Sequence, residues 1–175
     1  GKRTKDLSIG IDSSYTEAAQ KSFERQKRYR LMWMDTKYEP GTVKVVAYDK
    51  DGKAVAEKVV RTAGKPHHVE LVADRNRLKA DGKDLSFINV RVVDKDGNLC
   101  PNDTRKIKFN VRGMGVYKAA ANGNSASLES FQAPEMSLFS GQLTAIVQTL
   151  EESGAIYFEA SAPGVKGASL QLISE

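Results

Sequence analysis

Residues 78–111, LKADGKDLSFINVRVVDKDGNLCPNDTRKIKFNV, decide how this chain is read. From Leu85 the apolar positions step by two through Phe87, then Ile88 and Val90, then Val92 and Val93. Ile107, Phe109 and Val111 repeat the step further on. A period of two places alternate side chains on opposite faces, so each run reads as a strand with one buried face. Between them lies DKDGN, Asp94 to Asn98, and its Asp96-Gly97 pair tolerates the positive φ that short hairpin turns require. The segment therefore predicts two strands pairing across a tight turn.

The same alternation extends outward in both directions. Upstream, Val43, Val45 and Ala47 alternate, Asp51-Gly52 turns the chain, and Val55 to Val60 returns it as a hairpin ending at Thr62-Ala63-Gly64. Lys65-Pro66 reads as a linker, after which His68 to Ala73 forms a first strand. Downstream, strands are expected near Val116, Ser127, Leu143 and Ala155. Leu143, Ala145 and Val147 share one face, as do Ile156, Phe158 and Ala160, and VKGASLQLIS closes the chain. Asp-Gly turns recur at Asp51, Asp81 and Asp96 without any fixed repeat. Strands spaced about ten residues apart, with Gly, Pro, Asn and Asp between them, predict a Greek-key sandwich of immunoglobulin-like type.

The N-terminal third reads differently. Ser14-Tyr15-Thr16-Glu17 fits a capping box, and Tyr15, Ala18, Ala19, Phe23 and Gln26 follow at helical spacing, which predicts one short helix over about 15–27. Leu31 to Met34 reads as a strand and Glu39-Pro40-Gly41 as a turn. The fold class is thus all-β, with two immunoglobulin-like β-sandwich domains in tandem. The first, residues 1–64, is partial and carries the helix; the second spans 65–175.

Composition narrows the function. No run approaches the roughly 18 apolar residues of a membrane helix, so no membrane partner is expected. The net charge is +5, and the excess lies in residues 1–64, with 14 Lys and Arg against 9 Asp and Glu. Much of it comes from KSFERQKRYR, Lys21 to Arg30, which reads as a solvated helix face and not as a nucleic-acid surface. Cys100 is the single cysteine, so no intrachain disulfide forms, and it reads as a small packed apolar residue beside Pro101.

Candidate chemistry is sparse. Asp49-Lys50-Asp51-Gly52 and Asp94-Lys95-Asp96-Gly97-Asn98 open like calcium loops, but the position of the bidentate glutamate holds Val60 or Arg105, so hairpin turns are the better reading. His67 and His68 are the only histidines. Adjacent in a predicted strand, they point to opposite faces and share neither a metal nor a proton relay. Glu151-Glu152 reads as a solvated turn, since neighbouring carboxylates are poorly placed to flank a sugar from two sides. The glycines of Gly113 to Ser127 serve backbone bends. No catalytic residue, metal site or cofactor is predicted. Trp33, Tyr38 and Tyr117 are candidate platforms for stacking on a sugar ring if their faces are exposed.

A family likeness then emerges. YEPGTVKVVAYDKDGKAVAEKVVRTAGKP followed by LVADRNRLKADGKDLSFINVRVVDKDGNLCPN resembles the segment behind the catalytic barrel of family 2 glycoside hydrolases, the bacterial β-galactosidases and their relatives. The likeness continues through VRGMGVYKAAANGNSASLESFQAPEMSLFSGQLTAIVQTLEESGAIYFEASAPGV, which is similar to their final immunoglobulin-like domain. The resemblance implies a non-catalytic accessory piece of a periplasmic or secreted enzyme whose (β/α)₈ barrel lies N-terminal to it. No family acid or nucleophile maps onto these residues, and a barrel of roughly 250 residues exceeds the chain. The expected partner is that barrel. A carbohydrate-binding module is the alternative, and homo-oligomers would follow if the first domain's opening strands lie upstream and leave an edge unpaired.

Overall fold

Alternation becomes pairing in a computed structural model that describes Lys21 and residues 37–175. The chain divides into two compact units, Gly1–Pro40 and Gly41–Glu175. In the first, Lys21 is helical, within the span of the expected helix. The rest of that helix, the strand expected at Leu31 to Met34, and Trp33 lie outside the described residues.

The second unit begins with the predicted hairpin. Strands β1 (Thr42–Tyr48) and β2 (Ala54–Arg61) pair antiparallel, with Val43 opposite Val60 and Ala47 opposite Ala56. Nine further strands build the sandwich: β3 (His68–Ala73), β4 (Arg77–Leu78), β5 (Leu85–Val93), β6 (Lys106–Gly113), β7 (Gly115–Ala121), β8 (Glu135–Ser137), β9 (Gln142–Thr149), β10 (Gly154–Ser161) and β11 (Ala168–Ser174). One sheet has the order β3-β5-β9-β7 and the other β4-β11-β10-β6-β8. Among these paired strands only β11 and the two-residue β4 run parallel.

The core fills the space between the sheets. Ile88, Val90, Val92, Leu143, Ala145 and Val147 meet Ile107, Phe109, Ile156, Phe158, Ala160 and Leu172, all buried. Burying each large side chain contributes about 1.5–3 kcal/mol, so this double layer is what holds the sandwich. Cys100, 5% exposed, is part of the same core, as its sequence context predicts.

Three expectations need correction. The strands flanking DKDGN do not pair with each other: β5 lies in the four-stranded sheet and β6 in the five-stranded one. The turn closes only as far as a bridge between Val93 and Leu99, and the chain then crosses through Pro101 to the facing layer. Nor does Asp96 adopt positive φ. Gly97 alone does, at 80°, after a turn in which the Gly97 amide bonds the Asp94 carbonyl at 3.2 Å. That is a three-residue turn ending in a left-handed glycine rather than a two-residue primed turn.

Phe87 is the second correction. The inward set of β5 is Ser86, Ile88, Val90 and Val92, so Leu85 and Phe87 face outward, and Phe87 is 43% exposed. The third concerns Ser127, which lies in a loop. The strand in that region is β8, three residues that pair with the start of β6.

Gly141 is required where it stands. Its φ is 78°, and a Cβ there would meet the Cys100 carbonyl oxygen at 2.2 Å, at the point where the β8–β9 turn passes against the crossover segment.

Candidate functional site

Glycoside chemistry needs carboxyl groups free to face a sugar, whereas Asp49 and Asp94, which open the two turns, are bonded to the backbone of those turns. In the first turn, Asp49 Oδ1 accepts the amides of Asp51 at 3.0 Å and Lys53 at 2.8 Å. Asp94 repeats the pattern, its Oδ1 accepting the amides of Asp96 and Asn98, both at 2.9 Å. Asp94 Oδ2 accepts further bonds from the Gly64 amide at 2.7 Å and Asn98 Nδ2 at 3.0 Å. The leading aspartate of each calcium-like turn, Asp49 and Asp94, is thus bonded to nearby amide donors.

Other carboxylates are similarly engaged. Asp84 accepts the Lys79 amide and an Arg75 guanidinium N–H, both at 2.9 Å. Asp103 receives Arg105 Nε at 2.8 Å, while Arg105 Nη1 donates to the Pro163 carbonyl at 2.7 Å. On the sheet faces Glu70 pairs with Arg91, and Glu159 with Asn110 and Arg112. Glu129 accepts the Ser137 amide at 3.1 Å and its hydroxyl at 3.0 Å, fastening the β7–β8 loop.

Electrostatics follow these bonds. The Gly64 amide and then the Asn98 side chain hold Asp94 well below the ordinary carboxylate range. The Lys79 amide and Arg75 lower Asp84, the amides of Lys83 and Asp84 lower Asp81, and Asn110 and Arg112 lower Glu159. Hydrogen bonds to the ionised form cause every one of these shifts. A glycosidase acid instead needs a carboxyl raised by burial or by a like charge. Glu151 and Glu152 sit in an exposed turn.

The structure separates the sequence's aromatic candidates by environment. Tyr38 is 78% exposed in the first unit. Tyr117 is half-buried in the second. Its ring stacks on Phe109 at 5.5 Å, and its hydroxyl donates to the Ala133 carbonyl at 2.7 Å. Burial pushes its pKa up to about 12. Trp33 lies outside the described residues. His67 and His68 do not diverge as alternation predicted, since their Nδ1 atoms lie 3.0 Å apart. β3 starts only at His68, so His67 is not bound by strand geometry.

One shallow recess of about 190 Å³ sits on the four-stranded sheet, where Asn89, Gln142 and Thr144 meet Asn122 and Gly123. Its polar lining is amide and hydroxyl, without a carboxylate, and Ala121 and Leu143 complete the wall. Sequence reasoning missed it because its residues come from β5, β9 and the loop after β7, adjacent only once the strands pair. No signal in any single strand marks it.

The family model described as glycoside hydrolase family 2 C-terminal domain 5 matches residues 69–171, from β3 into β11. The chain belongs to this family. A second family model, described as a domain of unknown function, matches residues 8–56. This family 2 C-terminal domain is 42% identical over 139 residues to the β-galactosidase BoGH2A of Bacteroides ovatus, a match over 79% of this chain and 16% of that protein. It is 26% identical over 148 residues to a β-glucuronidase of Formosa agariphila, over 83% of this chain and 15% of that protein. Among solved structures it is similar to a glycosyl hydrolase family 2 member from Bacteroides cellulosilyticus, with TM-score 0.75, 30% identity, and 80% and 18% of the two chains covered. A β-glycosidase from Bacteroides vulgatus gives TM-score 0.74 at 26% identity, over 78% and 18%.

Proposed function

We propose that this family 2 C-terminal domain is a non-catalytic accessory part of a longer glycoside hydrolase, β-galactosidase-like in its activity, and that it supports a catalytic barrel carried elsewhere in the same polypeptide. The observation that carries the reading is the state of its carboxylates. Asp81, Asp84, Asp94 and Glu159 are all held toward the ionised form by amides, amide side chains and arginines. Groups so engaged hold a fold together and are poor proton donors to a leaving sugar. The relatives support the same reading, because the chain spans 16% of the β-galactosidase and 15% of the β-glucuronidase.

The division at residues 64 and 65 belongs to this proposal and rests on the two family matches, 8–56 and 69–171, which fall on either side of it; the compact units instead part at Pro40 and Gly41, which leaves the β1–β2 hairpin with the second unit. So does export of the parent enzyme to the periplasm or beyond, which rests on resemblance to bacterial polysaccharide-degrading enzymes and is tested by fractionating cells that make the whole protein. Function itself is tested by incubating the purified chain with chromogenic β-galactosides and β-glucuronides. Release no faster than in buffer is expected. A rate abolished by substituting one acidic residue would overturn the proposal.

A further inference from the structure

The end of the sandwich where the chain leaves β5 is closed on itself. The Asp94 amide donates to the Asn98 carbonyl at 2.9 Å, Val93 bridges to Leu99, and the Cys100 amide returns to the Val92 carbonyl at 2.9 Å. From the β8–β9 turn the Gly141 carbonyl accepts the Val92 amide at 3.0 Å. Val92, Val93 and Cys100 are buried, and Asp94 is buried with them. The Asp94 side chain is oriented by its own turn, because Oδ1 takes the amides of Asp96 and Asn98. Oδ2 faces the Asn98 side chain and, beyond the turn, Gly64. A donor captured by this carboxylate is therefore fixed to the core.

What it captures is the chain arriving from the β1–β2 hairpin. At the base of that hairpin the Thr62 amide donates to the Gly41 carbonyl at 2.8 Å, and the Gly41 amide to the Thr62 hydroxyl at 3.0 Å. Ala63 then packs against the sandwich core. The Gly64 amide donates to Asp94 Oδ2 at 2.7 Å, at the short end for such a bond, as an ionised acceptor makes it. A Cβ at Gly64 would lie only 3.4 Å from the same oxygen, so the backbone rests on the carboxylate. Further along, the His67 amide donates to the Val93 carbonyl at 2.8 Å and the Lys166 amide to the His67 carbonyl at 3.0 Å. Between Gly64 and His67 stand Lys65 and Pro66, and the proline ring fixes its own φ.

A hinge needs residues free to absorb changes of φ and ψ. Here the last bond inside the hairpin, at Thr62, and the first contacts with the sandwich, at Ala63 and Gly64, fall on adjacent residues. β1 and β2 share no sheet with the strands of the sandwich, and Ala63 brings only a methyl group to the core. Orientation therefore falls to the hydrogen bond between Gly64 and Asp94.

We propose that Asp94 is a positioning residue: by holding the Gly64 amide it locks the joint between the β1–β2 hairpin and the sandwich, so that the two move as one rigid body. The inference deepens the accessory reading above. The hairpin holds the last residues of the family match at 8–56, and the locked joint lets the sandwich set the direction in which that segment projects. Amide NMR relaxation of the 175-residue chain and of its Asp94→Asn variant tests it. Asparagine keeps the size of the side chain and one acceptor oxygen for the amides of Asp96 and Asn98, and turns an NH2 group toward Gly64. In the unaltered chain the amides of Val45, Val59 and Gly64 should report the same rotational correlation time as Ile88 and Phe158, with an order parameter of about 0.85 at Gly64. In Asp94→Asn the value at Gly64 should fall below about 0.6 and the hairpin should tumble faster than the sandwich. Ile88 and Phe158, both fully buried, should keep the values of the unaltered chain, which verifies folding. A hairpin that already tumbles separately in the unaltered chain would overturn the proposal. So would a folded Asp94→Asn chain in which Gly64 and the hairpin behave as before. Where the variant fails to fold, hydrogen exchange of the unaltered chain decides: protection of the Gly64 amide like that of the β5 amides supports the lock, and exchange at the rate of an unstructured peptide overturns it. Turnover of glycoside by the isolated chain is a separate readout, so the accessory reading can fail while the joint stands.

Discussion

The amide of Gly64 donates to Oδ2 of Asp94 across 2.7 Å, joining the segment that leads out of the β1–β2 hairpin to the turn after β5. Asp94 is 2% exposed, and its carboxylate accepts three backbone amides and one side-chain amide. Removing it takes the acceptor from the amides of Gly64, Asp96 and Asn98 and from the Asn98 side chain at once, and bonds to a charged group contribute about 1.5–3 kcal/mol each. Asp94→Ala should lower the melting temperature by about 5 °C or more in a thermal melt followed by circular dichroism. An unchanged melt would show that the turn holds without its carboxylate.

Acid should unfold the domain through the same groups. Asp81, Asp84, Asp94 and Glu159 have folded-state values depressed below the ordinary range. The stability they contribute is therefore complete above about pH 5 and drains as pH falls through about 4 toward the folded values. The urea midpoint measured between pH 7 and 2.5 should fall across that window, and Asp94→Asn should flatten the fall.

Base acts on Tyr117. Its pKa is raised to about 12 by burial, so the fold favours the neutral phenol. That contribution is intact below the unfolded value of about 10 and is lost as pH rises through 12. Tyr117→Phe removes this pH dependence. It should also cost about 1 kcal/mol at neutral pH through loss of the bond to the Ala133 carbonyl. Urea melts at pH 8 and pH 11 check both.

Burial predicts a contrast between two phenylalanines of different sheets. Phe158 is fully buried and stacks on Phe109 at 5.9 Å; Phe158→Ala should cost about 3–5 kcal/mol. Phe87→Ala in the isolated chain should cost under about 1 kcal/mol, because its ring faces water there. Equal losses would contradict the inward and outward assignment of β5.

Most strands were legible in the sequence because period two survives pairing. β1, β2, β3, β9 and β10 lie where Val43, Val55, His68, Leu143 and Ile156 placed them. Sheet membership was not legible, since alternation turns Val90 inward without saying which layer supplies the opposite wall; Val90 and Phe109 look alike as text yet belong to facing sheets of one core. Leu85 and Phe87 misled because they are apolar at outward positions, so the period of two held while its phase did not. β4 and β8 are too short to show a period. The site was less legible than the fold, because Asn89, Gln142 and Thr144 come together only through strand register.

The central claim is that this domain supports chemistry done elsewhere. Its most direct test is Asp94→Ala in the intact enzyme, with melting temperature and kcat/KM measured on the same preparation well below the melt. The account predicts a lowered melting temperature with kcat/KM within about twofold of the parent, as expected for a residue making no transition-state contact. A loss of about 100-fold or more in kcat at an unchanged melting temperature would contradict it.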